Sequence, residues 1–210
     1  MFIYLVNIPP NSYHKMARPK NFLKESILND ATHIFWKNGF HQTSIKDLVQ
    51  TLGINRASLY GTFLDKENLF IECFLMYREG LVSHFNQIFN KEKTIKNGFK
   101  SFFDFLKNSY GEDMEKKGCF MCNSYAELLP TQNKVIKQLL NETREIITSL
   151  IVKKLQKAQK EKNIHIEINI DIETQSIYTT MIGTAILSKI EDEKKYLKNT
   201  SLYHHLSIFK

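Results

Sequence analysis

TSIKDLVQTLGINRASLYGTF, residues Thr43 to Phe63, is the stretch on which the fold turns. Ile45, Leu48, Val49 and Leu52 fall at i, i+3, i+4 and i+7, one face of a short amphipathic helix. Thr43 or Ser44 can cap its start, and Gly53 supplies a left-handed stop. Asn55 is a good N-cap for a third helix, in which Leu59 and Phe63 point inward at i and i+4. Two short helices around Gly53-Ile54-Asn55 make a helix-turn-helix, whose second helix enters a DNA major groove by its N-terminal residues.

Working outward, the apolar period stays helical. Leu23, Ile27, Ala31, Ile34 and Phe35 share one face of a first helix that ends near Gly39. Asp65 caps a long fourth helix, striped by Leu69, Phe70, Cys73, Phe74, Tyr77, Leu81, Phe85, Ile88 and Phe89. Further helices are predicted over Ile95 to Tyr110, Cys119 to Leu129, Gln132 to Lys160, Ile172 to Ile190 and Lys194 to Phe209. Ile164, Ile166, Ile168 and Ile170 alternate with polar residues as a strand does, but no second such segment exists to pair with them. Residues 163–171 are therefore read as an extended connector. Scarce glycine and proline (8 and 4 in 210 residues) argue against a many-stranded sandwich, so the expected fold is all-α.

The organisation expected is an extension over residues 1–15, a helix-turn-helix domain over 16–66 and a second helical domain over 67–210. Met16 offers an alternative start to the extension and precedes the basic Arg18-Pro19-Lys20 arm. The net charge of +7 makes a polyanion or an anionic membrane surface a reasonable partner. Residues 1–66 hold eight Lys and Arg against four Asp and Glu, so basic charge is densest around the helix-turn-helix. No apolar run is long enough to span a bilayer, and Phe2 to Val6 is too short for a signal peptide. With only three cysteines, Cys73, Cys119 and Cys122, a cytoplasmic location is expected.

With Leu59 and Phe63 fixed inward, Arg56, Ala57 and Tyr60 face away from the core. A guanidinium there can bond a guanine edge bidentately, and a methyl can meet that of thymine. Arg56 is the expected base reader. Ser44, Lys46, Ser58, Tyr60 and Lys66 are expected at phosphates, helped by the backbone N–H groups of helix N-termini.

The run Ala31-(x3)-Phe35-(x3)-Gly39-Phe40-(x2)-Thr43-Ser44-Ile45-(x2)-Leu48-(x4)-Gly53-Ile54-Asn55-Arg56-Ala57-Ser58-Leu59-Tyr60-(x2)-Phe63-(x2)-Lys66-(x2)-Leu69 resembles the DNA-binding domain of TetR-family transcriptional repressors. Gly118-Cys119-Phe120-Met121-Cys122-Asn123 with Glu127-Leu128 is similar to the helix-six segment of one branch. Asp171-Ile172-Glu173 with Gly183 resembles the entry to that family's dimerisation helices. The resemblance implies an all-helical homodimer that reads a palindromic double-stranded operator and is released by a small effector. By motif position it places DNA contacts at Ser44, Lys46, Asn55, Arg56, Ala57, Ser58, Tyr60, Thr62 and Lys66. Gly61-Thr62 departs from the pattern, since many members carry a bulky residue followed by His.

The aromatic residues of helix four and beyond form a core that can also hold an apolar effector, for which Phe74, Tyr77, Phe103, Met121 and Tyr125 are the candidates. Ile177, Met181, Thr184, Ala185 and Ser188 make a small-residue face expected at the dimer seam. Cys119-x-x-Cys122 admits a thiol redox sensor or thiol oxidoreductase as the alternative function, although no βαβ pattern and no second CxxC accompany it. His204-His205 reads as solvated. No GxSxG, HExxH or phosphate-cradling motif occurs, and the histidines lack metal spacing, so neither catalysis, metal nor cofactor is expected.

Overall fold

The helical period ahead of Gly39 forms α1, Lys20–Asn38, which buries Ile27, Ala31, Ile34 and Phe35 along one side. The computed structural model describes residues 20–111, 117–130, 133–189 and 201–210. There α1 is followed by α2 (Ile45–Leu52), α3 (Arg56–Phe63), α4 (Lys66–Lys91), α5 (Ile95–Gly111), α6 (Phe120–Leu128), α7 (Lys134–Lys160), α8 (Ile170–Leu187) and a 3-10 helix at Ser201–Ile208. The fold is all-α; among the described residues β pairing is limited to one antiparallel bridge between Ile164 and Phe209. The expectations for residues 1–15, for Met16 to Pro19 and for residues 190–200 fall outside the described residues.

The chain forms two compact units, Met1–Gly80 and Leu81–Lys210. The division falls within α4, further along than the expected limit at residue 66. The reason lies in the first unit's core, which takes Leu69, Phe70, Cys73 and Phe74 from α4 at 0–1% exposure. Phe70 stands edge-on to Phe35 and Phe40, with ring centroids 5.4 Å and 5.2 Å away. Such edge-to-face packing suits the aromatic quadrupole and ties α1, the turn after it and α4 together.

The second unit is built on a run of rings: Phe85 against Phe102 at 4.9 Å, Phe89 against Phe99 at 5.0 Å, and Phe99 against Phe209 at 5.7 Å. Asn133 caps α7, its Oδ1 accepting from Val135 and Ile136 N–H. Asn169 caps α8 through Ile172 N–H. At Gly118 (φ 66°), just before α6, an added Cβ would lie 2.8 Å from the Ala185 carbonyl of α8, so only glycine permits that approach.

Three expectations are corrected here. The alternation at 164–170 is a connector, but a bent one: Ile164 is buried and bridged to Phe209, Ile166 is 74% exposed, and Ile170 already belongs to α8. The final helix, where described, is 3-10 rather than α, and Phe209 leaves it for the bridge. His205 is buried rather than solvated: its Nδ1 lies 2.6 Å from Glu173 Oε1 and its Nε2 3.2 Å from Thr180 Oγ1, while His204 is exposed.

Candidate nucleic-acid interface

α2 opens with a reciprocal cap. Ser44 Oγ accepts from Asp47 N–H at 3.1 Å, and the Asp47 carboxylate accepts from both Ser44 N–H at 3.0 Å and Ser44 Oγ–H at 2.6 Å. The Ser44 bonds hold the Asp47 carboxyl below its usual range, and as an anion it also sits favourably at a helix N-terminus. Thr43 is fully buried and instead donates Oγ–H to Gly39 O at 2.6 Å. Of the two candidate caps, Ser44 is the one used. Asp47 escaped the sequence reading, although the Ser-x-x-Asp spacing displays it.

Gly53 ends α2 with φ 64° and ψ 24°; nothing lies within 4 Å of where its Cβ would be, so conformation alone requires glycine. Asn55 then starts α3 by accepting from Ser58 N–H at 2.8 Å. Leu59 and Phe63 are 0% and 1% exposed, whereas Arg56, Ala57, Ser58, Gly61 and Thr62 are exposed and Tyr60 is 42% exposed. Fixing the two apolar anchors thus turns the expected reading face outward. Arg56 and Ala57 lie in the first turn of α3, whose N–H groups have no helical acceptor. Thr62 returns its hydroxyl to Ser58 O at 2.9 Å.

α3 stops at Leu64, whose φ of 66° and ψ of −53°, with Asp65 N–H on Phe63 O at 2.8 Å, make a γ-turn of the rarer hand. Asp65 caps α4 through Asn68 N–H at 2.7 Å. Lys46 is exposed, as a phosphate contact requires. Lys66 is half-buried: its ammonium donates to Phe40 O and to Thr43 O, both at 3.0 Å, and sits 4.2 Å from the centre of the Phe40 ring.

The effector candidates divide between the two units. Phe74 is fully buried in the first unit and Tyr77 sets its ring against Trp36 there at 5.3 Å. Phe103 and Met121 are buried in the second, and Tyr125 donates Oη–H to Leu140 O at 2.9 Å. Cys119 and Cys122 are both buried; the hydrogen bond between the thiols, followed by burial, raises the Cys122 pKa well above the ordinary thiol value. A raised pKa disfavours the thiolate, the nucleophilic form, at Cys122. A groove of about 240 Å³ between α7 and α8, lined by Thr148, Lys153, Gln156, Asp171 and Gln175 among others, is open and polar rather than aromatic. Among the described residues no group of three or more metal-ligating side chains comes together, and no helix is long and apolar enough to cross a membrane.

The expected dimer seam is corrected. Ile177, Met181, Thr184, Ala185 and Ser188 are 1–6% exposed within the single chain, so this face packs inward. Small residues allow close helix approach, and the fold uses that within the second unit. The opposite side of α8 is open and uncharged, with Ile172 at 69% exposure, Gln175, Ser176 and Thr179 exposed, Gly183 with open space where a side chain would project, and Ile186 at 48%.

Two family models match the chain: bacterial regulatory proteins of the tetR family over residues 27–73, and the tetracyclin repressor-like C-terminal domain over residues 96–202. The chain belongs to the TetR family. It is 31% identical over 124 residues to the HTH-type transcriptional repressor ComR of Escherichia coli (strain K12), a match covering 59% of this chain and 59% of that protein. To the uncharacterized HTH-type transcriptional regulator YezE of Bacillus subtilis (strain 168) it is 27% identical, covering 62% of this chain and 68% of that one. Among solved structures, reduced E. coli NemR superposes with a TM-score of 0.81 at 15% identity, over 90% of this chain and 97% of that one. The TetR-family regulator CifR, solved as a cysteine mutant on operator DNA, does so with 0.77 at 16% identity, over 94% and 100%. The chain is a transcriptional regulator of the DNA-binding TetR type, with an N-terminal helix-turn-helix and a C-terminal helical domain.

Proposed function

We propose that the protein is a cytoplasmic transcriptional repressor that binds a palindromic operator as a homodimer and leaves it when a small, largely apolar effector binds the second unit. The observation that carries the reading is the division of α3, with Leu59 and Phe63 buried and Arg56, Ala57, Ser58 and Tyr60 outward at the start of the helix. Arg56 reads a base; Ala57 offers a methyl; Lys46, Ser58 and Tyr60 meet phosphates, with Asn55 and Thr62 at the margins of the footprint. The repressor ComR and the operator-bound CifR support the role in DNA binding. The Bacillus subtilis regulator FadR, solved with stearoyl-CoA (TM-score 0.70, 16% identity), supports an apolar effector, for which Phe103, Met121 and Tyr125 are the candidates in the second unit.

The homodimer forms on the open side of α8, through Ile172, Thr179, Gly183 and Ile186. An isologous contact about a two-fold axis matches a palindromic operator, with recognition helices one turn of DNA, about 34–36 Å, apart. The test is an electrophoretic mobility shift on the DNA flanking the protein's own gene, with Arg56→Ala beside the parent chain. The substitution should cost about 1–3 kcal/mol at one base pair and leave much of the non-specific binding in place. Unchanged preference at every base pair would remove Arg56 as the reader.

A further inference from the structure

α3 carries a glycine that no described neighbour requires. Gly61 is helical and exposed, and beyond its own helix nothing lies within 4 Å of where its Cβ would be. Gly53 and Gly118 differ in holding positive φ, and at Gly98 the Phe89 ring occupies the place of a Cβ. Gly183, on the open side of α8, is the comparable case, and that face is the one assigned to a second copy. A helical glycine without an internal reason weakens its helix, because its backbone loses more freedom on folding than that of any other residue. α3 is only eight residues long, so it has few bonds with which to offset that loss.

The position of Gly61 says what the glycine faces. Successive helical residues are about 100° apart, and Gly61 stands midway in sequence between the buried Leu59 and Phe63, so it lies about 160° from each. It is therefore on the line opposite the anchors, with Ala57 one turn earlier on the same side and Tyr60 and Thr62 about 100° to either hand. Thr62 returns its hydroxyl to Ser58 O. Along its outermost line α3 thus offers one methyl and then bare backbone. We propose that Gly61 sets how deeply α3 seats in the major groove: the duplex approaches the helix there more closely than a side chain permits, which brings Arg56 and Ala57 onto base edges. The inference rests on the reading of α2 and α3 as the DNA-facing pair. Base edges are read only at hydrogen-bond distance, so a helix held out by one added side chain loses readout while flexible cations still reach phosphate. The departure from the family pattern at Gly61-Thr62 then has a reason.

Gly61→Ala and Gly61→Leu in the full chain test it. The probe is a labelled duplex that the parent chain selects from a random-sequence library, compared with a duplex of arbitrary sequence. Gly61→Ala should raise the thermal midpoint of the first unit by about 4 °C or more, because alanine favours the helix and its methyl meets nothing. The same variant should bind the selected duplex on the order of tenfold more weakly, the usual scale for a methyl forced into a packed contact. Gly61→Leu should lose the preference for the selected duplex altogether. Both variants should bind the arbitrary duplex as the parent does, with the same slope of log K against log salt, since no phosphate contact is removed. A more stable protein that reads less well is the outcome that a role inside the fold does not produce. Parental preference in Gly61→Leu overturns the proposal. So does a midpoint that fails to rise in Gly61→Ala, because the fold itself then needs the glycine. If the parent chain enriches no sequence, the reading of α2 and α3 falls and takes the proposal with it; if it enriches one that Gly61→Leu reads equally well, the proposal falls alone.

Discussion

Arg56 and Leu64 bracket the recognition helix, and each exposes its side chain for a different reason. Arg56 is outward because Leu59 and Phe63 must be inward. Leu64 is 74% exposed because the chain reverses there at φ 66°, a conformation that carries a steric cost for any residue with a Cβ. Leu64→Gly should therefore raise the stability of the first unit by about 1 kcal/mol, since little apolar burial is lost and the strain is relieved. Thermal unfolding of the two chains checks it, and a lowered midpoint would show that the leucine side chain holds something the strain argument omits. The buried thiols make a second test at this scale. Burial also pushes the Cys73 thiol up to about 12, so the native protein at mildly alkaline pH should resist alkylation at all three cysteines. Rapid labelling of Cys119 or Cys122 in the folded chain would reopen the thiol-sensor alternative.

At the scale of the element, α2 depends on its first turn. Ser44→Ala should destabilise the first unit by about 1 kcal/mol, the usual worth of an N-cap. The acid side carries a sign as well. The bonds from Ser44 depress the folded pKa of Asp47 below its ordinary value of 3.8, so its contribution is fully present above that value and is lost as the pH falls through the folded pKa. Asp47→Asn should therefore flatten the acid limb of a stability-against-pH curve while leaving its shape near neutrality unaltered; an identical acid limb would count against the cap. The elements were largely legible in the sequence, because 3.6-residue periods and caps such as Asn55 and Asp65 are local signals. The alternating isoleucines misled in part, since two of them serve a bridge and a helix start that depend on distant Phe209 and nearby Asn169. The site was legible where orientation follows from burial, as at Arg56. It was not legible at Lys66, because its carbonyl partners lie far back along the chain and carry no side-chain signature. His205 and the inward α8 face were missed for the same reason: a small or polar residue does not announce which neighbour will cover it.

For the whole molecule, the proposed assembly rests on a face of α8 that the single chain leaves open. If two copies meet through the outer side of α8, Thr179→Glu sets like charges against each other across the two-fold axis, and sedimentation should find monomers at concentrations where the parent chain is dimeric. An intact dimer in that variant would move the seam elsewhere. The second unit's rings have another implication, concerning the order of events during synthesis. Phe209 packs on Phe99 and bridges Ile164, Tyr203 bonds Asp104, and His205 meets Glu173, so late residues complete a core begun a hundred positions earlier. The helix-turn-helix closes over a far shorter stretch of chain. As the polypeptide leaves the ribosome, the DNA-facing unit can thus be finished while its partner unit still waits, with Phe99 and Phe103 uncovered, for residues not yet translated. A pause or truncation in that interval leaves a nascent chain able to present its recognition helix but exposing aromatic surface that attracts chaperones and invites aggregation.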